Sequence, residues 1–207
     1  MIFSSFLFLW CFLPPLLILY FSVKSPVYRN VLLLIASLIF YAWGEPYYVF
    51  LMMASVTANY FLGQWVGGAS TPKMKKPAVL IGTLINLLIL AHFKYTDFLI
   101  DNLNILLSLE ISAKEIPLPI GISFYTFQAI SYLVDIYRGE VKPQRNFIKM
   151  GLYIAFFPQM VAGPIIKYHD IEDQLTKRNI TPEMFNYGVS RFIFGFAKKI
   201  LLANIAG

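Results

Sequence analysis

The chain has 207 residues, of which 58% are hydrophobic, 17% aromatic and only 14% charged, and its mean hydropathy is +0.64. A soluble domain carries about 25% charged residues, so water is excluded as the main solvent. The net charge of +6 raises nucleic-acid binding, but the basic residues flank apolar runs, and a positive-inside bias accounts for them without a nucleic acid.

Between Met1 and Ser70 the only charged residues are Lys24, Arg29 and Glu45. The first apolar run lacks the basic start of a signal peptide and exceeds its usual apolar length of about 7–15 residues, so a retained first span is expected over 6–23, kinked at Pro14 and Pro15. Cys11, the single cysteine, lies inside this run and supplies no disulfide or thiolate-metal framework. Further spans are expected over 31–44, 47–66, 78–93 and 118–134. Two of these fall short of the roughly 20 residues that cross a typical bilayer, which points either to extension by flanking Tyr28, Trp43 and Tyr95 or to a thinned membrane.

Five spans place the loops 24–30, 67–77 and 138–149 on one side. These hold Lys24, Arg29, Lys73, Lys75, Lys76, Arg138, Lys142, Arg145 and Lys149 against one acid, Glu140. The other side holds Lys94 and Lys114 against Glu45, Asp97, Asp101, Glu110 and Glu115. The alternation predicts a multi-pass protein with its N-terminus outside.

Asp97, Asp101, Asn104 and Ser108 recur at helical spacing beside an apolar face, so an amphipathic helix is expected over 97–109, lying along the outer interface or packed on the bundle as a plain connector. The apolar stretch 151–166 is interrupted by Pro158 and by Gly163-Pro164. A full crossing there would put Lys167, Lys177 and Arg178 outside, against the charge bias. A broken or re-entrant segment is therefore expected, with a proline-kinked span as the alternative. A terminal helix is expected over 183–206, interrupted by Lys198-Lys199 and ending at Gly207 as if cut.

Signatures of soluble enzymes are absent: there is no glycine-rich phosphate loop, no H-E-x-x-H, no paired CxxC and no G-x-S-x-G. His92 and His169 have neither metal-ligand spacing nor a motif partner, and both read as surface histidines; no metal is expected. Polar residues within spans point to function or to helix pairing: Asn59, Asn86, Gln128, Asp135 and Gln159. Interhelical hydrogen bonding suits the asparagines. Asp135 fits an i, i+3 ion pair with Arg138 as well as it fits a catalytic role.

Three stretches carry a resemblance: Leu118 to Gln128 (LPIGISFYTFQ), Tyr132 to Gly139 (YLVDIYRG) and Phe156 to Ile165 (FFPQMVAGPI). Together they resemble the signature of the membrane-bound O-acyltransferase family. Phe3-Ser4-Ser5, the run Phe40 to Pro46 (FYAWGEP), Phe93-Lys94-Tyr95 and Phe196 to Lys199 are similar to its bacterial, alginate O-acetylating branch. The resemblance runs over essentially the whole chain and implies an all-α polytopic fold, the N-terminal part of one ring-shaped transmembrane domain with a thin centre.

It further implies an enzyme of the bacterial inner membrane that carries acyl groups, acetyl above all, from a cytosolic thioester such as acetyl-CoA towards an exported cell-surface polysaccharide, with an extracytoplasmic acyltransferase as partner and no bound cofactor. Family members are about twice as long, and the histidine regarded as catalytic is expected beyond Gly207. Neither His92 nor His169 matches that position. The residues that inherit a place are Gly163 and Pro164, shaping the broken segment, and Gln128 and Gln159, facing a substrate tunnel. A transporter or channel half is the competing reading, because broken helices and polar residues within spans also mark substrate pathways; an inactive truncated fragment is the third.

Overall fold

The computed structural model describes residues 3–69, 71–107, 117–160 and 163–203, which are helical apart from turns and short connections, with no strand among them. Leu7–Phe12 forms a wide π-helical turn that runs into α1, Leu13–Ser22, whose first turn holds Pro14 and Pro15. Neither proline has an N–H to donate, and each crowds the carbonyl four residues earlier. The wider turn absorbs the fault that the sequence places there.

Ser25 caps α2, Pro26–Gly44, by accepting from the Tyr28 amide, and Pro26 occupies the first helical position, where a missing N–H costs little. The helix is thus longer than the apolar run 31–44, because it starts among the polar residues around Arg29. α3 spans Tyr48–Gly68. α4 runs without interruption over Pro72–Leu107. The expected span 78–93 and the expected amphipathic helix 97–109 are therefore one element as far as Leu107, and residues 108–116 lie outside the described residues. At 36 residues and 1.5 Å per residue α4 is about 54 Å long, well beyond the roughly 30 Å of a bilayer core.

α5, Ile122–Arg138, starts after Gly121 in the left-handed region and stops at Gly139, also left-handed. α6 covers Phe147–Ala155, capped by the Asn146 side chain on the Lys149 amide, and is followed by the single turn α7, Phe157–Met160. Non-helical chain then leads to α8, Tyr168–Thr176, and to α9, Pro182–Lys198, which passes into a π-helical turn over Lys199–Ala203. The end of the expected terminal helix, 204–206, lies outside the described residues.

Three helices, Pro26–Gly44, Tyr48–Gly68 and Lys73–Leu107, are long and apolar enough to cross a membrane by themselves. Of the five expected spans, Leu7–Ser22 is shorter, and α5 has 17 residues that include Asp135 and Arg138. α5 is short because it is interior: Tyr125, Ala129, Tyr132 and Leu133 are fully buried between α3 and α4. Outward-facing Ile35, Phe50, Phe61 and Leu88 remain exposed, as lipid-facing side chains of a helical membrane protein do.

The elements meet at two ends. At one, Tyr60 donates to the Arg145 carbonyl (2.8 Å), Gln64 to the Gln144 carbonyl (2.7 Å), Lys149 to the Thr176 hydroxyl (2.9 Å) and Arg178 to Asn30 Oδ1 (2.7 Å). At the other, the Tyr48 hydroxyl donates to the Pro117 carbonyl (2.9 Å) and its ring meets Phe93 edge-on. The basic loops 24–30 and 138–149 and the basic residues Lys177 and Arg178 share the first end.

Asn59 and Asn86 join α3 to α4 by a reciprocal amide pair at 3.0 and 2.8 Å, and each also donates to a backbone carbonyl four residues earlier. Both are buried, so their role is the interhelical one. Replacing either with alanine in the full-length protein is expected to lower stability by about 0.6–1.7 kcal/mol, and the double substitution to cost little more than one alone. Unfolding in mixed detergent micelles measures this, and fully additive losses would contradict the pairing.

Candidate functional site

The broken segment is where apolar surroundings and irregular backbone coincide, and its course follows from local chemistry. Pro158 has no N–H and in a continued helix its ring would crowd the carbonyl of Ile154, so α6 ends at Ala155 and the backbone of Phe156 is extended (φ −62, ψ 115). The Phe157 amide left over by this break donates to Ser37 Oγ on α2 at 3.2 Å. The Phe157 ring packs into an aromatic cluster with Phe8, Phe12 and Phe40.

α7 then brings Met160 against the start of α5. A Cβ on Gly121 would sit 2.6 Å from the Met160 carbonyl oxygen, and Gly121 has φ +77, so two independent constraints require glycine there. From Met160, near the end of the fold at which α5 begins, the chain comes back to Tyr168, whose hydroxyl accepts from Gln144 Nε2 at the basic end. The seven residues 161–167 at up to about 3.3 Å each allow that return. Among the described residues, the chain thus runs as helix from Phe147 towards the end at which α5 begins and is back at the basic end by Tyr168. Gly163, at φ +115, lies on the way out.

Three fully buried tyrosines hold the two limbs together. Tyr153 donates to the carbonyls of Gln128 on α5 and Ile166 on the returning limb, both at 3.2 Å. Tyr132 accepts from the Gln144 amide at 2.8 Å. The rings of Tyr132, Tyr153 and Tyr168 contact one another at centroid distances of 5.2–6.2 Å. Gly63 on α3 makes room for them, since a Cβ there would lie 2.7 Å from the Tyr132 ring.

The four residues singled out in the sequence divide into two pairs. Gln128 and Gln159 both converge on Tyr153, the first through its backbone carbonyl and the second by donating from Nε2 to the Tyr153 carbonyl at 2.6 Å. Gln159 also lines a cavity of about 540 Å³ bounded by α1, the broken segment and α8. Gly163 and Pro164 are exposed and lie in a bend ahead of the non-helical chain that leads to α8. Sequence reasoning missed Tyr132, Tyr153 and Tyr168, because a tyrosine in an apolar run counts as apolar although its hydroxyl needs a partner. Deep in the fold, the hydroxyls of Tyr41 and Tyr125 and Oε1 of Gln128 have no hydrogen-bond partner among the described residues.

Asp135 does not form the expected pair with Arg138. The left-handed turn at Gly139 brings the Glu140 amide onto the Asp135 carbonyl and sets the Glu140 carboxylate 3.8 Å from Arg138 instead. His169 is the second residue of α8, not part of a loop, and its Nε2 lies 2.9 Å from Asp170. Asp135, Glu140 and His169 offer ligand atoms within 4.8 Å of one another. Two of the three already face an opposite partner, so they read as a charge cluster at the helix end. His92 is exposed on α4, remote from all of these contacts.

Tyr153→Phe removes one hydroxyl that serves two carbonyls and leaves the ring packing intact. It is expected to destabilise the full-length protein by about 1–3 kcal/mol, with a lowered melting midpoint in detergent. An unchanged midpoint would remove Tyr153 from this role.

Comparison with known proteins places the chain. It is 42% identical over 211 residues to the probable alginate O-acetylase AlgI of Pseudomonas syringae pv. tomato, an alignment covering 99% of this chain and 40% of that protein. The probable alginate O-acetylase AlgI of Pseudomonas aeruginosa is 40% identical over 209 residues, covering 99% and 40%. A peptidoglycan O-acetyltransferase of Helicobacter pylori is 29% identical over 237 residues, covering 99% and 45%. No protein-family model matches the chain, and no solved structure matches it. The chain spans about two fifths of the length of the curated relatives it matches. With some 40% identity along almost all of its residues to these proteins, and with an all-helical architecture among the described residues, the chain belongs to the membrane-bound O-acyltransferase family.

Proposed function

We propose that this chain is the re-entrant half of an enzyme that O-acylates an exported cell-surface polysaccharide, taking an acetyl group from a cytosolic thioester such as acetyl-CoA and passing it across the inner membrane to an extracytoplasmic partner protein. The observation that carries this reading is the similarity, over 99% of the chain, to proteins named as O-acetylases of alginate. The convergence of Lys24, Arg29, Lys149, Lys177 and Arg178 on one end supports the orientation, because that end then faces the cytosol and the N-terminus lies outside.

The attack of a hydroxyl on a thioester needs a base for the departing proton. We assign that base to a histidine outside these 207 residues, since His92 and His169 lie on exposed helix surfaces. What these residues contribute is a route. The re-entrant segment carries polar backbone deep into an apolar bundle, and Gln128, Gln159, Tyr41 and Tyr125 offer polar atoms beside it. Gly163 and Pro164 set the turn by which the segment leaves.

Gln159→Leu in the full-length protein keeps the volume of the side chain and removes its amide. Polymer O-acetylation in cells is expected to fall about tenfold or more at unchanged protein level in the membrane; unchanged acetylation would remove Gln159 from the route. The 207-residue chain alone is expected to show no acyl transfer from acetyl-CoA. Measurable turnover would contradict the assignment of the base to another part of the protein.

A further inference from the structure

Two cavities meet at Gln174, Leu175 and Arg178, and the broken segment walls the larger of them. The larger, about 540 Å³, is walled by Leu13, Leu16 and Leu17 of α1 and by Leu152 and Phe156 of the inward limb. Its size falls within the roughly 300–1,000 Å³ of small-molecule sites. The smaller, about 210 Å³, is lined by Lys24, Arg29, Lys177 and Arg178 together with Asn30 and Thr176, and by no carboxylate.

The two guanidinium groups are held in place by the fold. Arg29 Nε donates to the carbonyls of Tyr20 (3.2 Å) and Val23 (3.0 Å), and its guanidinium lies 4.7 Å from the centre of the Tyr20 ring. Arg178 donates to Asn30 Oδ1, and the Asn30 amide is itself fixed by the Leu175 carbonyl at 2.8 Å. Four like charges gathered around one small cavity repel one another unless an anion sits among them. Fixed guanidinium groups favour a phosphate, whose oxygens match their planar fork.

We propose that the joined cavities bind one anionic glycerophospholipid, its phosphate in the basic cavity and an acyl chain in the apolar one. Both features are needed for the assignment. A soluble phosphate makes no use of the adjoining apolar walls, and a zwitterionic lipid leaves the surplus positive charge uncompensated. The site lies at the end of the fold that gathers the basic residues, where a membrane leaflet rich in anionic lipid supplies the ligand. It couples the α1–α2 turn to α8, so a bound lipid would brace the exit of the re-entrant segment whatever reaction the whole protein performs.

The test uses full-length protein in nanodiscs of phosphatidylcholine and phosphatidylglycerol, released for native mass spectrometry. Wild type is expected to retain one phosphatidylglycerol in preference to phosphatidylcholine. The double variant Lys24→Gln/Lys177→Gln, two exposed side chains, should cut retention about tenfold or more. Leu17→Trp, which pushes a bulky ring into the apolar cavity and leaves all four cations, should cut it as well. Leu17→Met, which keeps the volume, should retain the lipid and controls for folding. Equal retention of both lipids, unchanged retention in Lys24→Gln/Lys177→Gln, or displacement of the lipid by free glycerol phosphate would overturn the proposal. Wild type released without lipid would overturn it too.

Discussion

A peptide group buried away from water must find a partner, and this requirement shapes the re-entrant segment and everything packed on it. α6 ends ahead of Pro158 where Ala155 and Phe157 are buried, and the interrupted backbone is then answered group by group. Ser37 takes the Phe157 amide, Gln159 takes the Tyr153 carbonyl, and Tyr153 takes the carbonyls of Gln128 and Ile166. The partners come from α2, α5 and the segment itself, so the break is locked into the bundle. Gly63 and Gly121 follow from the same need, because each clears the space into which Tyr132 or Met160 moves.

The return has an electrostatic consequence. By leaving at the end where it enters, the segment delivers Lys177 and Arg178 beside Lys24 and Arg29 rather than to the far end. One end of the fold thus collects the basic residues, and the positive-inside tendency and the tertiary structure agree.

Much of this was legible in the sequence. Uncharged runs between basic clusters marked a multi-pass helical protein, and Pro158 marked the interruption that separates α6 from α7. Other features were hidden. The polar face at Asp97 and Asp101 suggested a separate helix, yet nothing in that sequence breaks a helix between Phe93 and Asp97, and α4 continues. Asp135 and Arg138 have the spacing of an ion pair, but Gly139 turns the chain and Glu140 takes the arginine. The tyrosine cluster gave no signal, since pattern alone does not tell which aromatic hydroxyls meet across three elements.

The central claim is that residues 147–178 enter and leave at one end of the fold. Its most direct test is the side from which single cysteines can be labelled in the full-length protein, with Cys11 replaced by serine. Cysteines placed at Lys24 and at Lys177 should react with a membrane-impermeant maleimide from the same side, the cytosolic one, and a cysteine at Tyr47 from the opposite side. Labelling at Lys177 from the side that labels Tyr47 would show that the segment crosses, and would contradict the account.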